Sequence, residues 1–165
     1  MKKLLFALFI FTAACSEVPD EGQTFYLFRH AEKVQTNETD DPPLLPEGKK
    51  RAEKITELLK DIAPDRYYST KYIRNMATLK PSADMNGKKI RLYEWHDWEP
   101  MLNEITANQY ILKNVVICGH GDNLLPMIKG LGCEAPLDSL GAQEYDKYFV
   151  VNVRGGECTV ETELY

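Results

Sequence analysis

The spacing of apolar residues switches repeatedly along this chain between the period of a strand and the period of a helix. Strand-like stretches cover residues 24–28, 66–69, 90–93, 115–118, 148–153 and 159–164, and helix-like stretches cover 47–62, 71–80, 99–112 and 123–131. Strands that alternate with helices favour a largely parallel sheet with helices on both faces. The sequence therefore predicts an α/β fold, a three-layer α/β/α sandwich around a mostly parallel sheet.

The last two strands are joined differently from the others. Only Arg154-Gly155-Gly156-Glu157 separates them, and two adjacent glycines supply the positive φ angles of a tight hairpin turn. A hairpin joins antiparallel neighbours, so we predict that this pair forms an antiparallel edge of the sheet.

The first residues are typical of an export signal rather than of the folded domain. Lys2 and Lys3 precede an apolar run, and Thr12-Ala13-Ala14 leads into Cys15. The apolar run is shorter than the roughly 20 residues that a membrane-spanning helix needs. A cysteine after two alanines resembles the bacterial lipobox, in which the cysteine is lipidated. Plain cleavage without lipid, or an uncleaved anchor, is the alternative.

These features divide the chain into a signal peptide over residues 1–15 with Cys15 as the lipidation site, a polar tether over 16–23 and one domain over 24–165. The predicted location is outside the cytoplasm, either periplasmic or at the outer surface. A lipid on Cys15 would then attach the protein to the membrane. Oligomeric state is left open.

Charge and cysteine content narrow the possible functions. A formal net charge of -5 gives no general attraction to nucleic acid, so an anion site must be a local cluster of positive side chains.

Cys118, Cys133 and Cys158 allow at most one disulfide among them in an oxidising compartment, and the pairing stays open. Cys118 lies in an apolar strand and is expected to be buried. No Cys-x-x-Cys is present, which argues against a thiolate zinc site.

Unusual polar residues stand at the carboxyl ends of the predicted parallel strands, where α/β sheets bind their ligands. They are Arg29 and His30 after the first strand, Ser69, Thr70 and Arg74 at and after the second, and His120 after residues 115–118. Arginine forks match phosphoryl oxygens, and an imidazole can attack phosphorus. The sequence thus predicts a phosphoryl site at this edge.

Four segments together resemble one known family. Arg29-His30-Ala31-Glu32-Lys33 resembles the Arg-His-Gly or Arg-His-Ala signature of the histidine phosphatase superfamily, the phosphoglycerate mutase-like family. PLLPEGKKRA at 43–52 resembles its Leu-Thr-x-x-Gly segment, and YSTKYIRNMATLKP at 68–81 resembles the stretch with its second arginine. Residues 115–120 resemble the strand that delivers its second histidine. The resemblance covers residues 24 to about 132, in order.

The resemblance implies a phosphoglycerate mutase-like fold and hydrolysis of a small phosphomonoester through a phosphohistidine on His30. It implies that Arg29, Arg74 and His120 complete the phosphate pocket, with His120 donating to the phosphoryl group, and that no metal or cofactor is required. Two alternative functions are that of a phosphohistidine protein phosphatase and that of a phosphate-binding lipoprotein without turnover.

Three carboxylates are candidates for the acid that protonates the leaving group. Glu94, directly after residues 90–93, is the first candidate, by its position in the mutase-like branch. Asp122 is the alternative acid, and it would equally serve as the N-cap of the helix over 123–131. Glu32 is the third, and it is as well placed to pair with Lys33 or a nearby arginine.

The remaining polar and aromatic residues near the site have less specific predictions. Ser69 and Thr70 are predicted to cap the helix over 71–80 rather than to bind ligand. Trp95, His96 and Trp98 either line the substrate mouth or cover a sheet edge.

Overall fold

The computed structural model describes residues 22–165, as one sheet with helices on both of its faces. Its elements in chain order are β1 (Gln23–Arg29), α1 (Pro46–Leu59), β2 (Arg66–Ser69), α2 (Ile73–Met85), β3 (Ile90–Leu92), α3 (Glu99–Ala107), β4 (Asn114–Gly119), α4 (Leu124–Gly130), β5 (Lys147–Arg154) and β6 (Glu157–Leu164). The predicted signal peptide, Cys15 and the tether up to residue 21 lie outside the described residues.

The sheet has six strands in the order β3-β2-β4-β1-β5-β6. β1 to β4 are mutually parallel, while β5 runs antiparallel to β1 and pairs with β6 in a hairpin. Gly155 and Gly156 turn that hairpin with φ angles of 58° and 81°. The predicted mostly parallel sheet with an antiparallel edge is therefore confirmed.

Two apolar cores lie on opposite faces of the sheet. The α1 and α2 side is filled by buried residues that include Phe28, Ile55, Leu79 and Val116. The α3 and α4 side is filled by a larger set that includes Phe25, Leu27, Ile105, Ile117 and Leu124. Because side chains alternate along a strand, neighbouring residues of one strand feed both cores. The structure confirms the three-layer prediction.

α1 shows how local sequence produces one of these layers. Pro46 occupies the start of the helix, where its missing N–H costs nothing. Ala52, Ile55 and Leu59 are buried on one face, as the apolar spacing predicts. Leu58, next to Leu59, is 38% exposed because it lies at the border of the apolar stripe.

The helix ends differ from the predictions. α2 starts at Ile73 and continues to Met85, five residues past its predicted end at residue 80, although Pro81 removes one backbone hydrogen bond. Ser82 and Ala83 are buried beyond the proline, so packing on the sheet offsets the lost hydrogen bond. α3 ends at Ala107, five residues short of its predicted end.

β1 begins one residue before the predicted start of the domain. The buried side chain of Gln23 donates hydrogen bonds to the carbonyl oxygens of Ile105 and Leu112, at 3.1 and 2.7 Å. This amide therefore ties the first strand to the end of α3.

Within residues 22–165, no helix has the length and apolarity needed to cross a bilayer.

One disulfide joins Cys133, just after α4, to Cys158 in β6. This settles the pairing that the sequence left open, and Cys118 is free and buried as predicted. The bond ties the antiparallel edge to the helix layer beside it.

Replacing both cysteines by serine, Cys133→Ser with Cys158→Ser, should lower the free energy of unfolding by roughly 3 kcal/mol, because the bond closes a loop of 25 residues. Urea unfolding monitored by circular dichroism measures the difference. Adding a reductant to the wild-type protein should cause a similar loss, and an unchanged midpoint in both experiments would contradict the prediction.

Candidate functional site

Three adjacent parallel strands, β2, β4 and β1, bring the predicted site residues together at their carboxyl ends. Arg29 lies in register with Gly119, so the residues that follow each of them are neighbours. The rings of His30 and His120 lie edge to face with centroids 5.5 Å apart. Both histidines are buried.

The His30 imidazole is held in one tautomer. Its Nδ1 lies 2.8 Å from the carbonyl oxygen of Ala31. A carbonyl oxygen only accepts, so Nδ1 carries the proton and Nε2 keeps a lone pair. An imidazole in this state can act as a nucleophile through Nε2.

The Thr78 hydroxyl fixes the backbone that orients His30. The Ala31 N–H donates to Thr78 Oγ1 at 2.9 Å, and this hydroxyl donates to the Arg74 carbonyl oxygen at 2.7 Å. The His30 N–H donates to the Gly119 carbonyl oxygen at 3.0 Å. α2 and β4 therefore both hold the loop that carries His30.

The Arg29 guanidinium is held by main-chain carbonyls. Its Nη1 donates to the carbonyl oxygens of Gly141 and Glu144 at 2.7 and 3.1 Å, and its Nη2 to that of Ala142 at 3.2 Å. The guanidinium carbon lies 4.6 Å from the centre of the Tyr145 ring. These contacts fix the position of the cation, and no carboxylate among residues 22–165 forms an ion pair with it.

Arg74 is held by the loop between β1 and α1. Its Nη1 donates to the Asp40 carbonyl oxygen at 3.1 Å and lies 3.5 Å from Asp41 Oδ1. Its guanidinium carbon is 4.4 Å from the centre of the Tyr72 ring. Asp41 also accepts from the Ile73 N–H, at 2.9 Å, and so caps α2.

Both guanidinium groups retain a buried donor with no hydrogen-bond partner among the described residues. These donors are Arg29 Nε and Arg74 Nε. An unsatisfied buried donor is costly, especially on a charged group, and an anion between the arginines would satisfy it. Gly121, next to His120, leaves space for Arg29, because a Cβ there would lie 3.3 Å from the guanidinium carbon.

The surroundings of both histidines disfavour a positive charge on the imidazoles. Burial, with the charges of Arg74, Arg29 and Lys33, lowers the pKa of His30 from its ordinary value of 6.5 to about 4, although the hydrogen bond to Ala31 acts in the opposite direction. Burial, together with His30 and the two arginines, lowers the pKa of His120 to about 3. Both rings are therefore neutral near pH 7.

Thr70 contacts His120 instead of capping α2, so the capping prediction for Ser69 and Thr70 is wrong. Thr70 Oγ1 lies 3.0 Å from His120 Nε2, and Ser69 Oγ donates to the Thr70 carbonyl oxygen. The cap comes from Asp41 because the loop between β1 and α1 reaches the first residue of α2. Local sequence around Ser69 carries no sign of that loop.

Trp95 covers His120 and contacts the next loop. The two rings stack with centroids 3.9 Å apart and an interplanar angle of 18°. Trp95 Nε1 donates to Asp122 Oδ1 at 2.9 Å, and Asn123 Nδ2 donates to the Trp95 carbonyl oxygen at 3.2 Å. Asn123 Oδ1 also accepts from the His120 N–H. The segment after β3 is therefore fastened to the second histidine.

The structure separates the three candidate acids. Glu94 is exposed and lines a cavity beside Thr70 and Trp95. Asp122 is bound to Trp95, and α4 begins at Leu124 with no side-chain cap, so the N-cap interpretation of Asp122 is wrong.

Glu32 has the arginine partner that the sequence left as an alternative. Arg51 Nε donates to both of its carboxylate oxygens at 2.9 Å, and Arg51 Nη2 donates to Oε1 at 2.6 Å. Burial tends to raise the pKa of Glu32, but the hydrogen bonds and charge of Arg51 outweigh it and lower this pKa. A carboxylate bound in this way is a poor proton donor.

The aromatic residues after β3 lie in two different environments. Trp95 and His96 line the cavity and stack on each other at 4.8 Å. Trp98 instead packs against the apolar core, and a Cβ added at Gly130 would lie 2.9 Å from its ring.

Several contacts at the site could not be found from sequence spacing. Thr78 was not singled out, although its helical spacing from Arg74 puts both on one face of α2. The carbonyls that hold Arg29 come from a loop with no motif of its own.

Within residues 22–165, no cluster of three or more His, Cys, Asp or Glu side chains is arranged to hold a metal ion.

Comparison with known proteins gives one family. The model of the histidine phosphatase superfamily (branch 1) matches residues 25–111, more than half of the chain. No curated protein matches the sequence significantly.

Two solved structures show the same fold. One is named as phosphohistidine phosphatase SixA from Agrobacterium tumefaciens, with 20% identity, a TM-score of 0.67 and coverage of 87% of this chain and 99% of the other. The second is the mycobacterial glucosyl-3-phosphoglycerate phosphatase with inorganic phosphate, with 13% identity, a TM-score of 0.67 and coverage of 87% and 96%.

The lowered pKa of His30 has a measurable consequence. The unfolded chain takes up this proton near pH 6.5 and the folded chain near pH 4. The unfolded state therefore binds more protons between these values, and the free energy of unfolding falls as the pH is lowered through that window. NMR of the imidazole nitrogens should show His30 neutral and protonated at Nδ1 at about pH 5.5.

The His30→Ala variant assigns the resonances. A His30 titration midpoint at its ordinary value of 6.5 would contradict the neutral, Nδ1-protonated assignment.

Proposed function

Because this chain belongs to the histidine phosphatase superfamily (branch 1), we propose that it hydrolyses phosphomonoesters through a phosphohistidine intermediate on His30. The observation that carries the proposal is the hydrogen bond from His30 Nδ1 to the Ala31 carbonyl oxygen, which leaves Nε2 unprotonated. The unpartnered Nε groups of Arg29 and Arg74 support a phosphoryl group bound beside it.

In the first step, the Nε2 lone pair of His30 attacks phosphorus while the bond to the ester oxygen breaks. The leaving oxygen takes a proton from a carboxylic acid. The imidazole ring becomes positive, and the Ala31 carbonyl oxygen stabilises this charge through the Nδ1 proton. Arg29 and Arg74 offset the charge on the transferring oxygens, and His120 supplies a hydrogen bond.

In the second step, water attacks phosphorus and the bond to Nε2 breaks. The carboxylate formed in the first step takes the proton from the water. Inorganic phosphate leaves, and His30 returns to its neutral form. The positive charge required in both steps comes from guanidinium groups, so the proposal assigns no step to a metal or cofactor.

We assign the acid role to Glu94. It is exposed on the loop after β3 and lines the cavity beside Thr70, the hydrogen-bond partner of His120. Asp122 is the alternative acid, and its carboxylate is already bound to the Trp95 indole.

A second candidate is hydrolysis of phosphohistidine on a protein. The similarity in fold to the SixA structure, 99% of which this chain covers, favours it, because that structure is named as a phosphohistidine phosphatase. Signalling relays that use phosphohistidine operate in the cytosol, so export of this chain would argue for a small substrate instead.

The export and lipid proposals rest on the N-terminal sequence, and the disulfide in the domain supports export. Disulfides persist in oxidising compartments, and Cys133 is bonded to Cys158. We propose that the chain is exported to the periplasm or outer surface and is held at the membrane by lipid on Cys15.

The His30→Ala variant should lose turnover by roughly three orders of magnitude or more, because no other group can form the covalent intermediate. Release of phosphate from a panel of monoesters, with a chelator present, measures the loss. Metal-independent turnover by the wild-type protein is the expected background.

Circular dichroism of the variant controls for folding. Activity in folded His30→Ala close to that of the wild type would exclude His30 as the nucleophile. A folded wild-type protein that binds phosphate but releases none from any ester would favour the phosphate-binding lipoprotein.

Glu94→Gln should lose about 10²- to 10⁴-fold in rate on alkyl phosphates and much less on p-nitrophenyl phosphate, because only the poor leaving group needs a proton. The ratio of kcat values for the two ester types measures the effect. Asp122→Asn tests the alternative acid in the same assay, and Glu53→Gln, an exposed carboxylate on α1, is the matched control. Equal losses on both esters in Glu94→Gln would remove Glu94 from this role.

A further inference from the structure

We infer that the cavity beside the phosphate pocket binds a planar heteroaromatic ring in the leaving group of the substrate, as found in nucleoside monophosphates. The inference rests on the proposed phosphatase function and adds a substrate class to it. The cavity has a volume of about 400 Å³ and is lined by Thr70, Lys71, Tyr72, Tyr93, Glu94, Trp95, His96 and Asp97.

The cavity adjoins the second histidine. Thr70 lines it and lies 3.0 Å from His120 Nε2 through its hydroxyl. Trp95 also lines it and stacks on the His120 ring. A phosphoryl group bound by the histidines therefore has this space next to it for the rest of the ester.

The aromatic walls are held in place before any ligand binds. Trp95 is fixed by hydrogen bonds with Asp122 and Asn123 in addition to the stack on His120. Tyr72 meets Trp95 edge to face, with centroids 5.4 Å apart and an interplanar angle of 88°. The exposed His96 also stacks on Trp95 with ring centroids 4.8 Å apart, so a ligand ring would contact the His96–Trp95 stack rather than a bare indole face. Rigid aromatic side chains lose little conformational entropy on binding, which makes such a stack an efficient surface for another ring.

Size and polarity match a ring with polar edges. Small-molecule sites typically have volumes of about 300 to 1,000 Å³, so the cavity holds more than a phosphoryl group. Lys71 and His96 can donate hydrogen bonds at its wall, and Glu94 and Asp97 can accept them. A nitrogen heterocycle presents both kinds of partner at its edge.

The contrast between the two tryptophans of this segment supports a binding role for Trp95. Trp98 packs against the apolar core. Trp95, in contrast, is half-buried among the site residues His120, Tyr72 and His96. Its position is explained by the site rather than by the core.

The test compares adenosine 5′-monophosphate with ribose 5-phosphate. Both esters have the same primary alcohol as leaving group, so their intrinsic reactivity is matched and only the base differs. Stacking of a base on an aromatic side chain predicts a kcat/KM that is roughly tenfold or more higher for the nucleotide. Similar values of kcat/KM for the two esters would overturn the inference and leave the phosphatase proposal intact.

Variants at Trp95 locate the effect. Trp95→Leu should bring the ratio of the two kcat/KM values close to one, and Trp95→Phe should keep most of it because a flat ring remains. Tyr110→Leu removes an exposed aromatic ring from the loop after α3 and should leave the ratio unchanged. A ratio that is unchanged in Trp95→Leu would contradict the assignment of the cavity.

Binding without turnover separates this inference from the proposed function. Titration calorimetry of the folded His30→Ala variant should show tighter binding of adenosine 5′-monophosphate than of ribose 5-phosphate, by a similar factor. Equal affinities would overturn the ring-binding site. Failure of the wild-type protein to hydrolyse either ester or p-nitrophenyl phosphate, with the nucleotide still bound more tightly, would overturn the phosphatase proposal alone.

Discussion

The hydrogen bond between His30 Nδ1 and the Ala31 carbonyl oxygen is the interaction on which the site depends. It sets the tautomer of an imidazole that is kept neutral by burial and by the neighbouring cations. The Ala31 N–H is in turn held by Thr78, whose hydroxyl reaches the Arg74 backbone. Nucleophile and arginine are therefore positioned by one connected set of hydrogen bonds between β1 and α2.

The positive charge of the pocket is positioned mostly by neutral groups. Main-chain carbonyls hold Arg29, and a carbonyl with the more distant Asp41 carboxylate holds Arg74. Carbonyl dipoles orient a guanidinium without cancelling its charge, whereas a close carboxylate would compete with an anionic ligand. Arg51 shows the opposite arrangement, because Glu32 neutralises it outside the pocket.

Much of this fold could be predicted because apolar spacing reports local geometry. The same argument reached Arg29, His30, Arg74 and His120, since strand ends of a parallel sheet share one edge. Contacts made across the chain could not be read in this way. Thr70 resembled a helix cap until the loop at Asp41 was seen to occupy that position. α2 extends past its predicted end and includes Pro81, because the packing of this helix on the sheet cannot be detected in local sequence.

The loop that holds Arg29 links the pocket to the antiparallel edge of the sheet. Gly141, Ala142 and Glu144 contribute its carbonyls, and the chain then enters β5 of the antiparallel edge. Local opening of this edge would release the guanidinium, so a ligand that requires Arg29 in place favours the closed edge by the same coupling free energy. Binding of a ligand in the pocket would therefore favour ordered hairpin strands, and ordered hairpin strands would favour binding.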